Sequence, residues 1–458
     1  MLGGFVPGLL IGPIPQVEAG TIPNPLLAET PGFPYSKALV NLYAVGRWTG
    51  TIQIPPNASS GTVDAANLLQ AYLVRIGGPI NVVTATSGAG FKVGRYDEWA
   101  PYLSGSADYL VNNINDYTLI TRGGTLRINA KDDESLEPAV WRALEIFGYR
   151  QLLPTANWEI VPTATGFNAN IGIVESRPLQ SERLFPGYAA DLLDTKTLLT
   201  EWRRKNRILQ SREIADYQVW GAIIRDPAYA AEFEAHPEYF SSEGEKLCVL
   251  EPRVQEIVID YVKKKLRAAP ARLAETVSAS DGTIGWGEPC ENGGPETEGG
   301  TGENEMSPTD RQITLANVVQ RALRNAPNGE FAGKHVAMLA YGDTTPAPAT
   351  DIDPDVYVTV ATAFVKAGLT PVEVAQNYWD RGARNIGYYG YVGTQLWSHG
   401  KPTAGKLARQ TVWDDLFTEY TTIVELSPVP YLTGESSSNF ALYGLGSYVF
   451  ARLNSAPG

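Results

Sequence analysis

The sequence predicts an α/β protein in which a (β/α)8 TIM-like barrel follows a small α/β domain and an extended N-terminal arm. Three observations predict this order. The first 36 of the 458 residues are rich in proline and glycine, and mixed strand and helix patterns come next. From about residue 185, short apolar runs alternate with helical stretches, as parallel β/α units require. The predicted bounds are 1–36 for the arm, 37–184 for the α/β domain and 185–458 for the barrel.

The arm contains seven prolines and six glycines, with Glu18 and Glu29 as its only charged residues. Such a segment has no core of its own, so it is either disordered or ordered along another protein. We expect other subunits to bind it, because its Leu, Ile, Phe and Val side chains would otherwise contact water. Pro7 and Pro13 interrupt the apolar run and no basic residue precedes it, so we expect no signal peptide.

The α/β domain is predicted from a β-α-β-β-β-α succession of patterns. Residues 117–130 form the clearest hairpin, because two alternating runs flank Gly123 and Gly124, which suit a tight turn. Residues 135–154 predict a helix that begins at Ser135. The remaining segments are a strand region at 38–52, a helix at 64–78, and strands at 79–86, 91–96, 158–162 and 170–178.

The barrel is predicted from helices that alternate with short apolar runs. The helical stretches are 197–210, 253–269, 311–326 and 371–383. The predicted strands are 246–250, 275–280, 335–341, 355–364, 385–392 and 428–434. Barrel sites lie on the loops that follow the strands. Here those loops are 281–294, 342–353, 389–400 and 434–440, which carry carboxylates, aromatic rings, Asn, His and Gly together.

Composition excludes several classes of function. A net charge of −13 disfavours nucleic acid as a partner. No run of eighteen apolar residues occurs, so we expect no insertion into a membrane. The three histidines lack metal-binding spacing and no strand–GxGxxG–helix unit occurs, so we expect neither a metal nor a cofactor. Cys248 and Cys290 either form one disulfide or stay reduced, and we favour the reduced state.

Several phrases resemble a known family. Residues 122–154 are similar to the N-terminal domain of β-hexosaminidases and α-glucuronidases, where a glycine hairpin precedes a helix ending in the phrase seen here at Leu144–Arg150. Further phrases resemble a bacterial family allied to those enzymes and described only as a domain of unknown function. They are HPEYFS at 236–241, LCVLEPRV at 247–254, VSASDG at 277–282, LANVVQRAL at 315–323 and the ending at 434–453. The resemblance implies a hexosaminidase-like α/β domain followed by a glycoside-hydrolase barrel.

The implied chemistry places two carboxyl groups across a sugar ring, one protonating the leaving oxygen and the other attacking or activating water. Asp281 is the first candidate for the acid, because the fourth barrel strand carries the acid in the allied glycosidases. Glu435 is the second candidate, and Glu288 and Asp343 are reserves. The alternatives are that Asp281 only makes a turn and that Glu435 holds Asn439 or an arginine in place.

Sugar rings stack on aromatic faces while their hydroxyls contact polar groups. Substrate-binding candidates therefore lie in or beside the strand-end loops or match the family phrases: Trp286, Tyr341, Tyr389, Tyr391, Trp397, His236 and Asn439. Some of these rings would instead pack in the core, and His236 would equally cap a helix. Alternation predicts Tyr389 and Tyr391 on one face of their strand and Tyr388 on the other. Two roles are open for the arginines of the helical stretch 197–210, namely Arg203, Arg204 and Arg207. They would either bind an acidic sugar or form a solvated helix face, and we favour the solvated face.

Two functions follow. The first is a glycan-active protein, a glycoside hydrolase if active, acting on a polysaccharide or cell-surface glycan in an extracellular or virion setting such as a phage tail. The second is a non-catalytic carbohydrate-binding or structural component of such an assembly. The segment 214–226 supports the second function, because it lacks the histidines that the family carries there.

Overall fold

The computed structural model divides into two compact units, Met1–Arg177 with Leu198–Arg207, and Pro178–Thr197 with Ile208–Gly458. The structure describes residues 26–30, 33, 36–102, 117–175, 181–188, 193–208, 214–240, 246–280, 286, 306–391, 418–423, 425–427, 431–437 and 446–452. Residues 181–188, 193–196, 432 and 435–437 are described by their backbone.

A mixed sheet dominates the first unit. Its elements are β1 Leu26–Glu29, β2 Val40–Ala44, β3 Arg47–Trp48, β4 Thr51–Ile54, α1 Ser60–Gly77, β5 Val82–Thr84, β6 Gly90–Arg95, α2 Tyr96–Trp99, β7 Tyr117–Arg122, β8 Thr125–Ala130, α3 Asp133–Ile146, β9 Arg150–Gln151, β10 Glu159–Ile160 and β11 Phe167–Glu175. Within the described residues the strands run in the order β3-β2-β11-β7-β8-β6-β4-β5, with β1 beside β11. Strands β9 and β10 form a separate antiparallel pair.

Local sequence signals produced most of these elements as predicted. The hairpin β7–β8 is confirmed, and Gly123 and Gly124 take the positive φ values of 56° and 76° that its turn requires. Helix α3 is also confirmed, but its cap was wrongly assigned to Ser135. The cap is Asp132, whose carboxylate accepts the Ser135 backbone N–H at 2.9 Å.

The core of this unit forms where α1 and α3 pack against the sheet. Both helices and the strands contribute fully buried members, which include Ile52, Leu69, Phe91, Leu126 and Leu144. Part of the predicted arm joins this unit, because β1 lies parallel to β11 and Leu26 enters the core. Residues 26–29 therefore pair within their own chain, whereas residues 1–25 lie outside the described range.

The second unit is built on parallel strands. Its elements are β12 Ser181–Tyr188, α5 Trp220–Ile224, α6 Ala230–Ala235, α7 Pro252–Ala268, β13 Ala274–Thr276, α8 Pro308–Arg324, β14 His335–Ala340, β15 Tyr357–Ala361, α9 Pro371–Asp380, β16 Asn385–Tyr391 and β17 Tyr431–Ser437, and α4 Leu193–Lys205 connects the two units along the chain. The sheet order is β12-β17-β16-β15-β14-β13. The strand that comes first along the chain, β12, therefore lies beside the strand that comes last, β17. Parallel bridges at Ile214 and Gln218 add residues 214–218 beside β13.

This sheet curls strongly. Thr433 on β17 donates a hydrogen bond to the carboxylate of Asp216. Residues 214–218 and β17 are separated by four strands in the sheet order, and neighbouring strands lie about 4.8 Å apart, so a flat sheet would hold the two side chains more than about 20 Å apart. The hydrogen bond between them therefore requires a curled sheet with these two side chains on its concave face.

The concave face has its own apolar cluster, drawn from the segment 214–218 and from β13, β14, β15 and β17: Ile214, Ala274, Ala337, Tyr357 and Tyr431. Thr359 donates to the Tyr431 hydroxyl at 3.0 Å, which joins β15 to β17 across β16. Gly387 on β16 makes this possible, because a Cβ there would lie 2.1 Å from the Tyr431 ring. The described strands thus form part of a barrel wall.

Two predictions about residues 246–250 were wrong. This run is not a sheet strand, since Leu247 makes only an isolated antiparallel bridge to Phe240. Its apolar side chains are buried in the connection that precedes α7. The sequence therefore shows the same apolar run as a buried strand. Cys248 is disulfide-bonded and not reduced, while the other cysteine of the chain, Cys290, lies outside the described residues. In the described part of the chain, no helix is long and apolar enough to cross a membrane.

Candidate functional site

A pocket opens at the carboxyl ends of β13, β14 and β15, and its volume is about 240 Å³. Most of its walls come from residues that follow these strands, and Gln218, Lys246, Gln312 of α8 and Leu339 of β14 complete them. The lining residues are Gln218, Lys246, Ser278, Ala279, Ser280, Trp286, Gln312, Leu339, Tyr341, Gly342, Asp343, Thr344, Phe364 and Lys366. This is the end of the strands where barrel enzymes hold their sites. Three predicted site residues, Trp286, Tyr341 and Asp343, thus line one pocket.

One wall is an aromatic and cationic stack. The Trp286 ring packs edge-to-face against Trp220 at a centroid distance of 5.3 Å. The Lys246 ammonium lies 5.9 Å from the Trp286 ring centroid and donates a hydrogen bond to the Ser280 carbonyl. Trp220 donates its indole N–H to the Val277 carbonyl at 2.8 Å. Trp286 is therefore a buried wall held by neighbours, and only part of its surface faces the pocket.

The segment after β13 is held rigidly. The Gln312 side chain donates to the Val277 carbonyl at 2.7 Å and accepts the Ala279 backbone N–H at 2.9 Å. The Ser280 hydroxyl accepts the Gly221 N–H at 2.6 Å. These bonds fix the backbone that leads directly, in sequence, to Asp281, whose own position lies outside the described residues. A site held by such secondary contacts is preorganised for a ligand.

A charged pair lies at the mouth of the pocket. Asp343 belongs to the short turn Gly342–Thr344 after β14, and its Oδ1 lies 3.6 Å from the Lys366 ammonium. The two side chains are 45% and 57% exposed. The Thr345 hydroxyl fixes the second loop by accepting the Lys366 N–H at 2.8 Å. Half-exposed polar groups on ordered turns can exchange water for the hydroxyls of a ligand.

Aromatic rings continue from the pocket along the concave face. Tyr389 and Tyr391 pack with Leu339 and Tyr341, and their own ring centroids lie 5.3 Å apart. Tyr388 is buried on the other face and donates to Glu419 at 3.0 Å, where burial raises its pKa well above the ordinary value. The predicted alternation of these tyrosines is confirmed. Neither Tyr389 nor Tyr391 is a pocket-lining residue.

None of the other predicted site residues is among the described residues that line this pocket. His236 is exposed, contacts Glu238 at 2.7 Å and stacks on Tyr239, and it makes no side-chain capping bond although it occupies a cap position. Glu435 is described by its backbone, which lies in register with Tyr391 near the end of β17. Asp281, Glu288, Trp397 and Asn439 lie outside the described residues.

The lining residues that sequence reasoning missed include Gln218, Lys246, Gln312, Phe364 and Lys366. Phe364 and Lys366 come shortly after β15, so the same strand-end rule would have found them. Lys246 was missed because its segment was predicted as a strand. Among the described residues, no group of three or more His, Cys, Asp or Glu is placed to bind a metal ion.

Comparison with known proteins identifies the family. Residues 153–399, more than half of the chain, match the family described as Domain of unknown function (DUF4838). The chain belongs to the DUF4838 family. The predicted resemblance to a domain of unknown function is thereby confirmed. No curated protein matches the sequence significantly.

Structural similarity extends beyond this DUF4838 match. A family GH115 4-O-methyl-α-glucuronidase with specificity for decorated arabinogalactans is 10% identical, with a TM-score of 0.50, covering 88% of this chain and 56% of that enzyme. The DUF4838 protein thus spans little more than half of the glucuronidase. Streptomyces plicatus N-acetyl-β-hexosaminidase is 12% identical, with a TM-score of 0.45 over 93% of this chain and 90% of that one. CpGH84B is 11% identical, with a TM-score of 0.46 over 92% and 70%. At these identities the glucuronidase likeness shows a related fold only.

Proposed function

We propose that this DUF4838 protein is glycan-active and binds a sugar unit in the pocket at the carboxyl ends of β13, β14 and β15. One observation carries the proposal: an aromatic ring, a half-exposed carboxylate and a half-exposed ammonium share a preorganised pocket at the end of a curled parallel sheet. Apolar rings with a few placed polar groups are the usual components of a sugar site. The glycoside-hydrolase fold of the structural relatives supports the same class of ligand by analogy.

The proposal includes the finer architecture. The curled sheet closes into a TIM-like (β/α)8 barrel behind a hexosaminidase-like α/β domain. Support comes from the pairing of β12 with β17 and from the bridges that add residues 214–218 beside β13. In this order β12 and residues 214–218 lie at the two ends of the sheet, so pairing between them would close the barrel and remove both edges.

For a hydrolase we propose Asp281 as the general acid and Glu435 as nucleophile or base, with Glu288 and Asp343 in reserve. Asp281 directly follows Ser280, a lining residue, and the Glu435 backbone is in register with Tyr391. A general acid must keep its proton near neutral pH, which burial or a carboxylate neighbour would favour. A separation of about 5–5.5 Å between the two carboxyl groups would favour retention of configuration, and about 6.5–9.5 Å inversion.

A non-catalytic glycan-binding role is the alternative. One observation favours it: among the described lining residues Asp343 is the single carboxylate, and it is paired with Lys366. A carboxylate neutralised in this way is better suited to accept hydroxyl hydrogen bonds than to attack an anomeric carbon. Reducing-end release from bound glycan separates the two roles.

We also propose an extracellular setting. The disulfide at Cys248 supports it, since disulfides persist in oxidising compartments. A place in a phage tail or other virion finds no support in the comparisons and rests only on the composition of residues 1–36 as a binding segment for other subunits. Removal of residues 1–25 tests that segment, because unchanged oligomerisation would show that it recruits no subunit.

The main test is a panel of plant and bacterial polysaccharides incubated with purified protein. We expect binding to at least one, and release of reducing ends if the protein is a hydrolase. The variants Asp281→Asn and Glu435→Gln should each lower such release by roughly a thousandfold or more while binding persists, because each removes a group that acts in the chemical step. Binding without release by the wild type supports the alternative, and the absence of binding across the panel contradicts both.

A further inference from the structure

Phe364 lies at the mouth of the pocket in an unusual backbone conformation. Strand β15 ends at Ala361, and three residues later Phe364 has a φ of 60°. The left-handed region is sparsely populated by bulky residues, because their Cβ crowds the following carbonyl. Such strain persists only where surrounding contacts impose it, and it gathers at functional sites.

The surrounding contacts hold this turn in place. The Thr362 N–H donates to the Tyr389 carbonyl at 3.0 Å, and the Lys366 N–H donates to the Thr345 hydroxyl at 2.8 Å. These bonds flank Phe364 on both sides, so the turn cannot relax independently. The backbone is thus fixed in a conformation that glycine would adopt with less strain.

The phenyl ring lines the pocket and remains 40% exposed. It makes edge contacts to Tyr341 at 5.6 Å and to Tyr391 at 6.5 Å, which set its orientation. A ring used only for packing would be covered, because hydrophobic stabilisation grows with the apolar area removed from water. Strain and exposure thus occur together here on a ring that lines the pocket.

We propose that Phe364 is the stacking platform for a pyranose ring, and that its left-handed backbone presents the phenyl ring to this ligand. The inference rests on the proposed glycan-binding function and identifies a ligand with one apolar C–H face. The Asp343–Lys366 pair lies in the same pocket and would bind the hydroxyls at the edge of that sugar. A phenyl ring has no polar group, so it selects the shape of the C–H face and not a charge.

The test compares three substitutions by calorimetric titration with a glycan that the wild type binds, and by thermal unfolding. Phe364→Ala and Phe364→Gly should each weaken affinity by roughly tenfold or more, whereas Phe364→Trp should keep it within about threefold. Phe364→Gly should melt at a higher temperature than Phe364→Ala, because glycine removes the left-handed strain. A matched control is Tyr102→Ala, which removes an exposed ring from the first unit and should leave affinity unchanged.

Three results would overturn the inference. If wild type binds glycan and both ring-deleting variants bind equally well, the platform is refuted while the proposed function stands. If Phe364→Ala and Phe364→Gly unfold far earlier than wild type and lose affinity only in proportion to the unfolded fraction, the ring is structural. Failure of the wild type to bind any glycan overturns both proposals together.

Discussion

Each unit contains a pocket, and the two pockets differ in what their polar groups already do. The pocket of the first unit has a volume of about 140 Å³ and is lined in part by Gln151, Glu159, Trp202 and Lys205. Its polar groups bond to one another: Trp202 donates to the Gln151 carbonyl at 3.0 Å, and Lys205 donates to Glu159 at 3.4 Å. The pocket at the carboxyl ends of β13, β14 and β15 is here called the strand-end pocket. Its pair of Asp343 and Lys366 is loose and half exposed.

The polar groups of the first pocket stabilise the fold, whereas Asp343 and Lys366 are available to a ligand. Groups of the first kind are buried and fully engaged, so their loss destabilises the protein. Groups of the second kind add little stability and exchange water for a ligand. We therefore expect changes in the first unit to lower stability without affecting glycan binding, and changes at the strand-end pocket to do the reverse.

The largest effect is expected at Arg207. Its side chain is 6% exposed and donates to Glu145 and Glu175 at 2.8 Å each and to Tyr117 at 2.9 Å. Arg207→Met leaves two partly buried carboxylates without this partner and should cost about 4 kcal/mol of unfolding free energy, measured by urea denaturation. Arg204→Met is the control, since its pair with Glu137 is largely exposed and should contribute less than about 1 kcal/mol. Equal losses in the two variants would contradict the distinction.

The disulfide at Cys248 should have the next largest effect. Its loss in Cys248→Ser should lower the unfolding free energy by about 3 kcal/mol. Because Lys246 lies two residues away and contacts the Trp286 wall, glycan affinity should also fall by roughly tenfold. Unfolding and titration with and without reductant check this, and reductant should not alter the variant further. Unchanged affinity in the variant would show that the wall does not depend on the disulfide.

Glu159 should make the first unit sensitive to acid. Burial raises its pKa, but hydrogen bonds from Arg75 and Tyr149 with the nearby Lys205 outweigh this and lower the pKa to about 2. Because the folded pKa lies below the ordinary value of 4.5, the stabilisation is complete above pH 4.5 and is lost as the pH falls towards 2.

The substitution Glu159→Gln should therefore cost about 1 kcal/mol at pH 7, after allowance for solvent screening, and almost nothing near pH 2. Denaturation of both proteins across this range measures the difference. Glu234→Gln is the control at an exposed position, with a small effect at every pH. A difference for Glu159→Gln that is constant with pH would refute the role of its charge.

The smallest change in stability is expected for Asp343→Asn. Its exposed pair with Lys366 should contribute less than about 0.5 kcal/mol, so urea denaturation should hardly change. Glycan affinity should nevertheless fall by roughly fivefold, because the amide replaces one acceptor oxygen by a donor. A large loss of stability with intact affinity would place Asp343 with the structural groups of the first unit.

Local patterns were sufficient to predict the regular elements near them. Helices α7, α8 and α9 follow from apolar spacing, and the Gly123–Gly124 hairpin follows from turn chemistry, because both depend on residues close in sequence. The solvated helix face predicted for Arg203, Arg204 and Arg207 was wrong for Arg207, which lies beyond the end of α4 and pairs with Glu145 and Glu175. These partners lie 62 and 32 residues away in sequence, so no local pattern reveals them.

The features that sequence could not supply depend on distant contacts or on backbone angles. Asp216 and Thr433 are 217 residues apart, so no periodicity reveals the curl that joins them. The left-handed φ of Phe364 has no sequence signature, since the usual marker for such an angle is glycine. The strand-end rule located the pocket because parallel strands present their carboxyl ends at the same edge.

Hydrogen exchange of the whole protein, with and without a bound glycan, tests most directly whether the strand-end pocket is the glycan site. We predict slower exchange of the backbone amides at residues 278–280, 339–344 and 364–366, which form the walls and mouth of the strand-end pocket. Residues 151–159, beside the pocket of the first unit, should exchange at unchanged rates. Slowing confined to residues 151–159, or no slowing at the strand-end pocket with a glycan that binds, would contradict the assignment of the site.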